Sequence, residues 1–204
     1  MNTAFDLILL SAEQDTPGEL ENLTQLFQSG LTTFHLRKPD WKIEQTEDFL
    51  AAIPKEFLSK IVLHSHFELA NKFAIKGIHL NEANKKLAPQ LNAETIISAS
   101  FHSIRDIKEN TFLYRYIFLS PIFGSISKPG YHSKFDLKTL VEELKQLRLE
   151  KTNLPGIIAL GGITSGNIGS VKETGFDGAA LLGSIWQSAN PVKAFKDIQS
   201  IIGV

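Results

Sequence analysis

Residues 156–186 read GIIALGGITSGNIGSVKETGFDGAALLGSIW and contain a complete strand–helix–strand unit. Two apolar runs, Gly156–Leu160 and Phe176–Leu182, predict strands. Because the runs are continuous rather than alternating, they are typical of parallel strands covered on both faces. Between them, Thr164–Thr174 predicts a helix, with the Thr164 hydroxyl as its N-cap. The stretch is therefore one βα unit followed by the next strand.

The same pattern recurs along the whole chain. The other predicted strands are Phe5–Leu10, Thr32–Leu36, Ile61–His64, Gly77–Leu80, Ile96–Ser100 and Tyr116–Leu119. Apolar residues at helical spacing predict helices over Gly18–Ser29, Phe67–Ile75, Phe135–Leu149 and Pro191–Ile202. Eight strands alternating with helices predict an α/β protein, a single-domain (β/α)8 TIM barrel over residues 1–204. A doubly wound sheet is the alternative, but Ser11-Ala12-Glu13 after the first strand lacks the Rossmann glycines.

Composition excludes several classes of protein. The chain has 204 residues, 43% of them hydrophobic, and a formal net charge of -1. The balanced charge argues against a nucleic-acid module, and the absence of cysteine excludes disulfides and thiolate chemistry. The short apolar N-terminal run has neither a signal peptide's basic start nor the length of a membrane span. A cytoplasmic protein is predicted, and its oligomeric state, a homo-oligomer included, is left open.

Glycine turns follow the last two predicted strands. In barrels the active site lies at the carboxyl ends of the strands, and the loops after strands seven and eight commonly bind phosphate. Gly161-Gly162 and Gly183-Ser184 stand at these two places. Their backbone N–H groups could hold a phosphate, although such glycines can also simply form tight turns.

The stretch after the sixth strand, residues 120–135, reads SPIFGSISKPGYHSKF. Its Ser125, Ser127, Lys128 and His132 place hydroxyls, a cation and an imidazole together. A plain turn does not require this combination, so an anion site is one interpretation and a solvated loop is the other.

All six histidines fall at or just beyond predicted strand ends: His35, His64, His66, His79, His102 and His132. His79, within an apolar run, fits a hydrogen-bonded core residue better than a catalyst. His64 and His66 would point to opposite sides of a continuing strand, so at most one faces the cavity. No pair has the helical spacing of a metal site, and no histidine metal site is predicted. Arg37 would supply positive charge to the cavity or form a surface ion pair with Asp40.

The motifs along the barrel resemble those of one enzyme family. They are H-L-R from His35, G-I-H-L from Gly77, S-A-S-F-H from Ser98, S-P-I-F-G-S-I-S-K-P-G from Ser120, A-L-G-G-I-T-S-G-N from Ala159 and F-D-G-A-A-L-L-G-S-I-W from Phe176. Over nearly the whole chain this resembles the thiamine phosphate synthases and their sister group, the thiazole tautomerases (TenI-like proteins).

The resemblance implies a barrel that acts in thiamine biosynthesis. A synthase joins hydroxymethylpyrimidine diphosphate to thiazole phosphate and releases diphosphate through a pyrimidine carbocation, with Mg²⁺ stabilising the leaving group. It also implies that Arg37 and Ser100 contact diphosphate and that the two glycine turns bind the thiazole phosphate. Ser125, Ser127 and Lys128 would hold the diphosphate or the nascent product. The predicted catalytic residues are Arg37, Lys128 and His132; the predicted binding residues are His35, His64, Ser100, Ser125, Ser127, Gly161, Gly162, Gly183 and Ser184.

Several positions depart from the synthase pattern. His35 stands where synthases have Gln, and Pro39 where they have Lys, with Lys38 as a candidate replacement. His64-Ser65 replaces an Asn-Asp pair whose Asp binds Mg²⁺, and the Asp expected after the fourth strand is missing near Glu82. The usual Mg²⁺ ligands are thus absent, since serine and asparagine are poor substitutes for carboxylates.

Two alternatives to the synthase stay open at this point. A tautomerase needs no Mg²⁺ but requires a general acid and base. Its family histidine falls at Pro121 here, so His132, His64 or His35 would have to serve. A thiazole-phosphate or thiamine-phosphate binding protein without activity is the other alternative.

Overall fold

Eight parallel strands close into a barrel in the computed structural model, which describes residues 5–81, 84, 91–124, 133 and 135–203. The strands are β1 (Asp6–Leu10), β2 (Thr33–Leu36), β3 (Ile61–Leu63), β4 (Gly77–Leu80), β5 (Ile96–Phe101), β6 (Tyr116–Leu119), β7 (Gly156–Leu160) and β8 (Gly178–Leu181). The described helices are α1 (Glu19–Gln28), α2 (Ile43–Ala52), α3 (Lys55–Leu58), α4 (Leu69–Phe73), α5 (Ile104–Glu109), α6 (Leu137–Glu150), α7 (Ile168–Glu173), α8 (Gly183–Trp186) and α9 (Pro191–Ile202). The predicted (β/α)8 barrel is confirmed.

Each strand pairs with its neighbours in chain order, and β8 closes the barrel against β1. Since all strands are parallel, their carboxyl ends form one mouth. Leu160 of β7 lies opposite Ala180 of β8. The turns that follow these two strands therefore lie side by side at that mouth.

Two apolar layers explain the continuous apolar runs. Ile8 of β1 belongs to the small cluster inside the barrel, whereas Leu9 belongs to the larger cluster between the sheet and the helices. Tyr116 and Phe118 of β6 line the inside, while Ile117 packs outward. Successive side chains alternate between two buried faces, so a strand has no polar face to expose.

The predicted start of α7 is wrong. The helix begins at Ile168 with Asn167 as its N-cap, four residues after the predicted start. The Oδ1 of Asn167 accepts a hydrogen bond from the Thr164 N–H, and the Thr164 hydroxyl oxygen accepts one from the Gly166 N–H. These local bonds hold residues 164–167 in a turn, which is the usual competition between short polar side chains and helix formation.

Across the described ranges, none of the helices combines the length and the apolar character that crossing a bilayer would demand.

Candidate active site

Three imidazoles from three neighbouring strands meet at the mouth end of the barrel. His35 of β2 and His79 of β4 are almost fully buried, and His64, which follows β3 directly, is half-buried. Each ring offers one nitrogen that could bind a metal ion, and these three nitrogens all lie within 4.8 Å of one another. We call His35, His64 and His79 the imidazole cluster.

A chain of hydrogen bonds runs through His35. Its Nε2 lies 2.6 Å from the hydroxyl oxygen of Tyr116, and its Nδ1 lies 2.8 Å from Nε2 of His64. If His35 accepts from the Tyr116 hydroxyl, its Nδ1–H donates to His64. Nδ1 of His64 then carries the proton of that ring, and all three groups are uncharged.

His79 is held on both sides by serines of β5. Its Nδ1 lies 2.9 Å from Oγ of Ser98, and its Nε2 lies 2.8 Å from Oγ of Ser100. Its ring also lies against those of His64 and Phe118, with centroid separations of 4.4 and 4.7 Å. The interpretation of His79 as a hydrogen-bonded core residue agrees with these contacts, and Ser100 is placed against it.

Burial keeps the imidazole cluster neutral. Desolvation lowers the pKa of His35 and of His64 well below the usual value of 6.5, and the neighbouring imidazoles add to the effect. Desolvation, with the charge of Arg37, lowers the pKa of His79 to about 3. At neutral pH each ring therefore retains a lone pair.

His66 lies apart from the cluster, as expected for a residue on the other side of the chain. Its Nε2 is 2.9 Å from the carbonyl oxygen of Trp41. His102, which follows β5, places Nδ1 3.0 Å from the carbonyl oxygen of Ser120. Both rings thus contact backbone at strand ends rather than the imidazole cluster.

Arg37 follows β2 at the mouth and is about one-third exposed. Its guanidinium forms an ion pair with Glu13, so the interpretation that paired it with Asp40 is wrong. The Arg37 N–H donates to the Ser11 hydroxyl at 2.8 Å, and that hydroxyl donates to the Arg37 carbonyl at 2.9 Å. The main chain is fixed, while the charged end can exchange partners.

Lys38 does not replace the missing synthase lysine in the mouth. Its ammonium is buried and donates to Glu19 at 2.6 Å and to the Gln14 carbonyl at 2.9 Å. It also lies 5.0 Å from the ring centroid of Trp41. The Lys38 ammonium is therefore paired with the start of α1 and does not face the mouth.

The turn after β7 requires its glycines. Gly161 and Gly162 have φ values of 106° and 64°, which L side chains rarely adopt. A Cβ at Gly162 would overlap the Gly124 carbonyl oxygen and lie 2.7 Å from Cβ of Phe123. The absent side chains therefore let the segment after β6 pass directly over this turn.

Asn167 holds the same turn from below. Its Nδ2 donates to the Gly162 carbonyl at 2.9 Å, while its Oδ1 accepts from Thr164. Sequence analysis missed this role. The signal was present as an Asn five residues after Gly162, at the start of the next helix.

The turn after β8 contains an unused polar group. Gly183 and Ser184 begin α8, and the Ile185 N–H donates to the Leu182 carbonyl oxygen at 3.1 Å. Among the described residues the buried Oγ of Ser184 has no hydrogen-bond partner. Hydroxyls in such positions usually have one, so this atom is available to a ligand.

Four predicted site residues, Ser125, Ser127, Lys128 and His132, lie outside the described residues, as does Glu82. Within the described ranges, the only set of three or more His, Asp or Glu side chains close enough to share an ion is the imidazole cluster. Mg²⁺ prefers oxygen ligands, so this set does not fit it.

The fold and the site define a (β/α)8 barrel whose mouth carries imidazoles, a guanidinium, hydroxyls and two adjacent glycine turns. The thiamine monophosphate synthase family model matches residues 7–185, and the chain belongs to that family. The thiamine-phosphate synthase of Phocaeicola vulgatus is 27% identical over 197 residues, covering 92% of this chain and 93% of that protein. The thiamine-phosphate synthase of Bacteroides fragilis is 27% identical over 204 residues, covering 97% and 100%.

Solved structures agree with this assignment. A thiamine phosphate pyrophosphorylase from Bacteroides thetaiotaomicron is 30% identical with a TM-score of 0.82, and the match covers 98% of each chain. A thiamine phosphate pyrophosphorylase from Pyrococcus furiosus is 17% identical with a TM-score of 0.76, which shows the shared fold.

Proposed function

We propose that this protein is a thiamine phosphate synthase, which joins hydroxymethylpyrimidine diphosphate to thiazole phosphate and releases diphosphate. The observation that carries the proposal is the match to the family over residues 7–185, with curated synthases aligned over nearly their whole length. The site geometry supports it because Arg37 and the two glycine turns, which can bind anions, lie at the same mouth as the uncharged imidazole cluster.

The two glycine turns would hold the thiazole phosphate. They follow adjacent strands at the mouth, and Gly161 and Gly162 have positive φ angles. The Ser184 hydroxyl, which has no hydrogen-bond partner among the residues that the structure describes, would donate to a phosphate oxygen. Backbone N–H groups and a hydroxyl suit a phosphate in a barrel of this class.

Arg37 would stabilise the diphosphate at the opposite side of the mouth. Its guanidinium is now paired with Glu13, and a diphosphate carries more negative charge than that carboxylate. Arginine also binds phosphate oxygens in a bidentate manner. We assign Ser100, Ser125, Ser127 and Lys128 to binding of the same diphosphate. With Arg37 and Lys128, His132 completes the set of proposed catalytic residues.

In the reaction the bond between the pyrimidine methylene carbon and the diphosphate oxygen breaks, and its electron pair leaves with diphosphate. The thiazole nitrogen then donates its lone pair to the methylene cation and forms the new C–N bond. Cationic groups at the leaving oxygen favour the first step because charge develops there. Burial lowers the pKa of His35 and of His64, so both rings are uncharged at neutral pH.

The family resemblance implies Mg²⁺, but the described part of the site lacks the carboxylates that would hold it, so no step is assigned to that ion.

Turnover of the two substrates tests the proposal. We expect thiamine phosphate and diphosphate to form in equal amounts. Arg37→Ala should lower kcat about 100-fold or more, by analogy with loss of one charge-stabilising donor. Arg105→Ala is the matched control because Arg105 is exposed on α5 and pairs with Glu109 of the same helix. Isomerisation of a thiazole carboxylate phosphate without diphosphate release, or binding without either reaction, would overturn the synthase assignment.

A further inference from the structure

The imidazole cluster has the composition of a transition-metal site. Three neutral nitrogen donors from β2, β4 and the end of β3 converge within 4.8 Å. We propose that His35, His64 and His79 bind a divalent ion that prefers imidazole, such as Zn²⁺ or Co²⁺. This proposal concerns ion binding and does not depend on the synthase activity.

The hydrogen bonds assign one nitrogen of each buried ring to the ion. Nε2 of His35 is bonded to Tyr116 and Nδ1 of His79 to Ser98, so these nitrogens have outer partners. Nδ1 of His35 and Nε2 of His64 already face each other at 2.8 Å, and Nε2 of His79 is turned toward Ser100. An ion would replace the shared proton between His35 and His64 as well as the Ser100 contact.

This arrangement is usual for metal-binding histidines. Such a histidine commonly uses one ring nitrogen for the ion and bonds the other to an oxygen that fixes the ring orientation. The oxygens here are the hydroxyls of Tyr116 and Ser98, which lie on β6 and β5. The rings are therefore held by the barrel wall, which limits the rearrangement that binding requires.

Protonation does not oppose binding at neutral pH. A metal-binding imidazole must be neutral, and burial lowers the pKa of all three rings. Two cations act on the rings: Arg37, whose charge is offset by its ion pair with Glu13, and Lys76, which acts on His35 and is itself opposed by Asp6. With no carboxylate among the three donors, the bound ion keeps its full double charge.

That charge would attract an anion at the open position. Sites with three protein donors keep a fourth place for water or substrate. Ser100 and Arg37 border the cluster on the mouth side, so an incoming phosphate oxygen would find hydroxyl, guanidinium and ion together. The identity of this anion rests on the proposed function, whereas ion binding does not. On that function, the anion is the diphosphate of the pyrimidine substrate.

The choice of ion follows from the donors. Imidazole suits Zn²⁺ and Co²⁺, whereas Mg²⁺ selects carboxylate and carbonyl oxygens. Two of the three rings, His35 and His64, stand where the family resemblance places amides. The carboxylate that the resemblance assigns to Mg²⁺ is missing at the adjacent Ser65, so nitrogen donors are gained beside a position where an oxygen donor is lost.

Titration of the untagged, chelator-treated chain with Co²⁺ tests the site directly. We expect one ion per chain and the intense visible absorption of a low-coordinate site, with competition by Zn²⁺ measured by calorimetry. His64→Ala should weaken binding by more than about 100-fold, and Tyr116→Phe by about 10-fold through loss of an outer partner. His66→Ala and His102→Ala are matched controls at neighbouring strand ends and should bind as the wild type does.

Two results would overturn the proposal: no saturable binding by the wild-type chain, or equal loss of affinity in the His66 and His102 controls. If His64→Ala does not fold, X-ray absorption of the Zn²⁺-loaded wild type decides the question. Three imidazole nitrogens at about 2.0 Å support the site, and fewer refute it. Because these readouts need no substrate, a failure of synthase activity leaves them unaffected.

Discussion

Replacing Gly162 with alanine should destabilise the protein through a single, local conflict. The residue has a φ of 64°, and left-handed backbone costs a residue with a Cβ about 1–2 kcal/mol. The new Cβ would also overlap the Gly124 carbonyl oxygen and approach Cβ of Phe123 at 2.7 Å. Overpacking of this kind typically costs about 1–3 kcal/mol, so we expect a total loss of about 2–5 kcal/mol.

Gly169→Ala provides the matched control. Gly169 lies in α7, and a Cβ there meets no atom within 4 Å. Alanine is the better helix former, so this variant should gain about 0.5–1 kcal/mol. Urea denaturation monitored by circular dichroism gives both free energies of unfolding, with the m-value checking that the unfolding transition is unchanged. A Gly162→Ala variant within about 1 kcal/mol of wild type would show that this close approach does not constrain the mouth.

Three further perturbations test the site and its support. As the pH falls from 7.5 to 5.5, the chelator-treated protein should lose about 4 kcal/mol of its free energy of unfolding. The unfolded chain protonates three histidines near pH 6.5, whereas burial keeps the same rings neutral in the folded state. A free energy of unfolding by urea that does not change with pH would contradict the neutral state of these rings. Lys38→Met should cost about 3–5 kcal/mol, since it leaves the Glu19 carboxylate buried without its partner, and adding Glu19→Gln should recover part of that loss in the same assay. Asn167→Ala should weaken the affinity for a thiazole phosphate several-fold, because Gly162 and Thr164 both lose the bonds that hold their turn; calorimetry showing unchanged affinity would separate this turn from phosphate binding.

The barrel could be predicted because its strands are buried on both faces and therefore appear as uninterrupted apolar runs. The helices that were missed have weaker patterns. In α3 no residue is buried, and in α5 only Ile107 is. A helix that contributes at most one buried residue leaves too little periodicity to detect. The start of α7 was misplaced for another reason, since the Asn167 side chain bonds to Thr164 and Gly162 and holds residues 164–167 in a turn ahead of the helix.

The sequence predicts at which end of the barrel the site residues lie, but not which of their side chains touch. Since parallel strands share one mouth, placing the histidines and glycine turns at strand ends was enough to bring them to the same edge. The contact between Tyr116 and His35 was not accessible in this way, because Tyr116 begins β6 whereas His35 lies near the end of β2. Strands in a barrel tilt and shift in register, and residues at different heights along their strands become neighbours across the interior.

The two sides of the mouth now impose different physical requirements on a ligand. The turns after β7 and β8 offer backbone and hydroxyl donors and depend on glycine geometry, as at Gly162. The ends of β2 to β4 offer nitrogen donors that burial keeps neutral, in place of the carboxylates a hard cation needs. A phosphate can bind the first side without any ion. On the proposed function, a diphosphate leaving at the second side would be stabilised by Arg37, by the loop residues assigned to it, or by an ion that imidazole can hold. If the proposed ion site takes part in turnover, His35, His64 and His79 set its ion preference, and rates measured with Mg²⁺, Co²⁺ and Zn²⁺ test that connection.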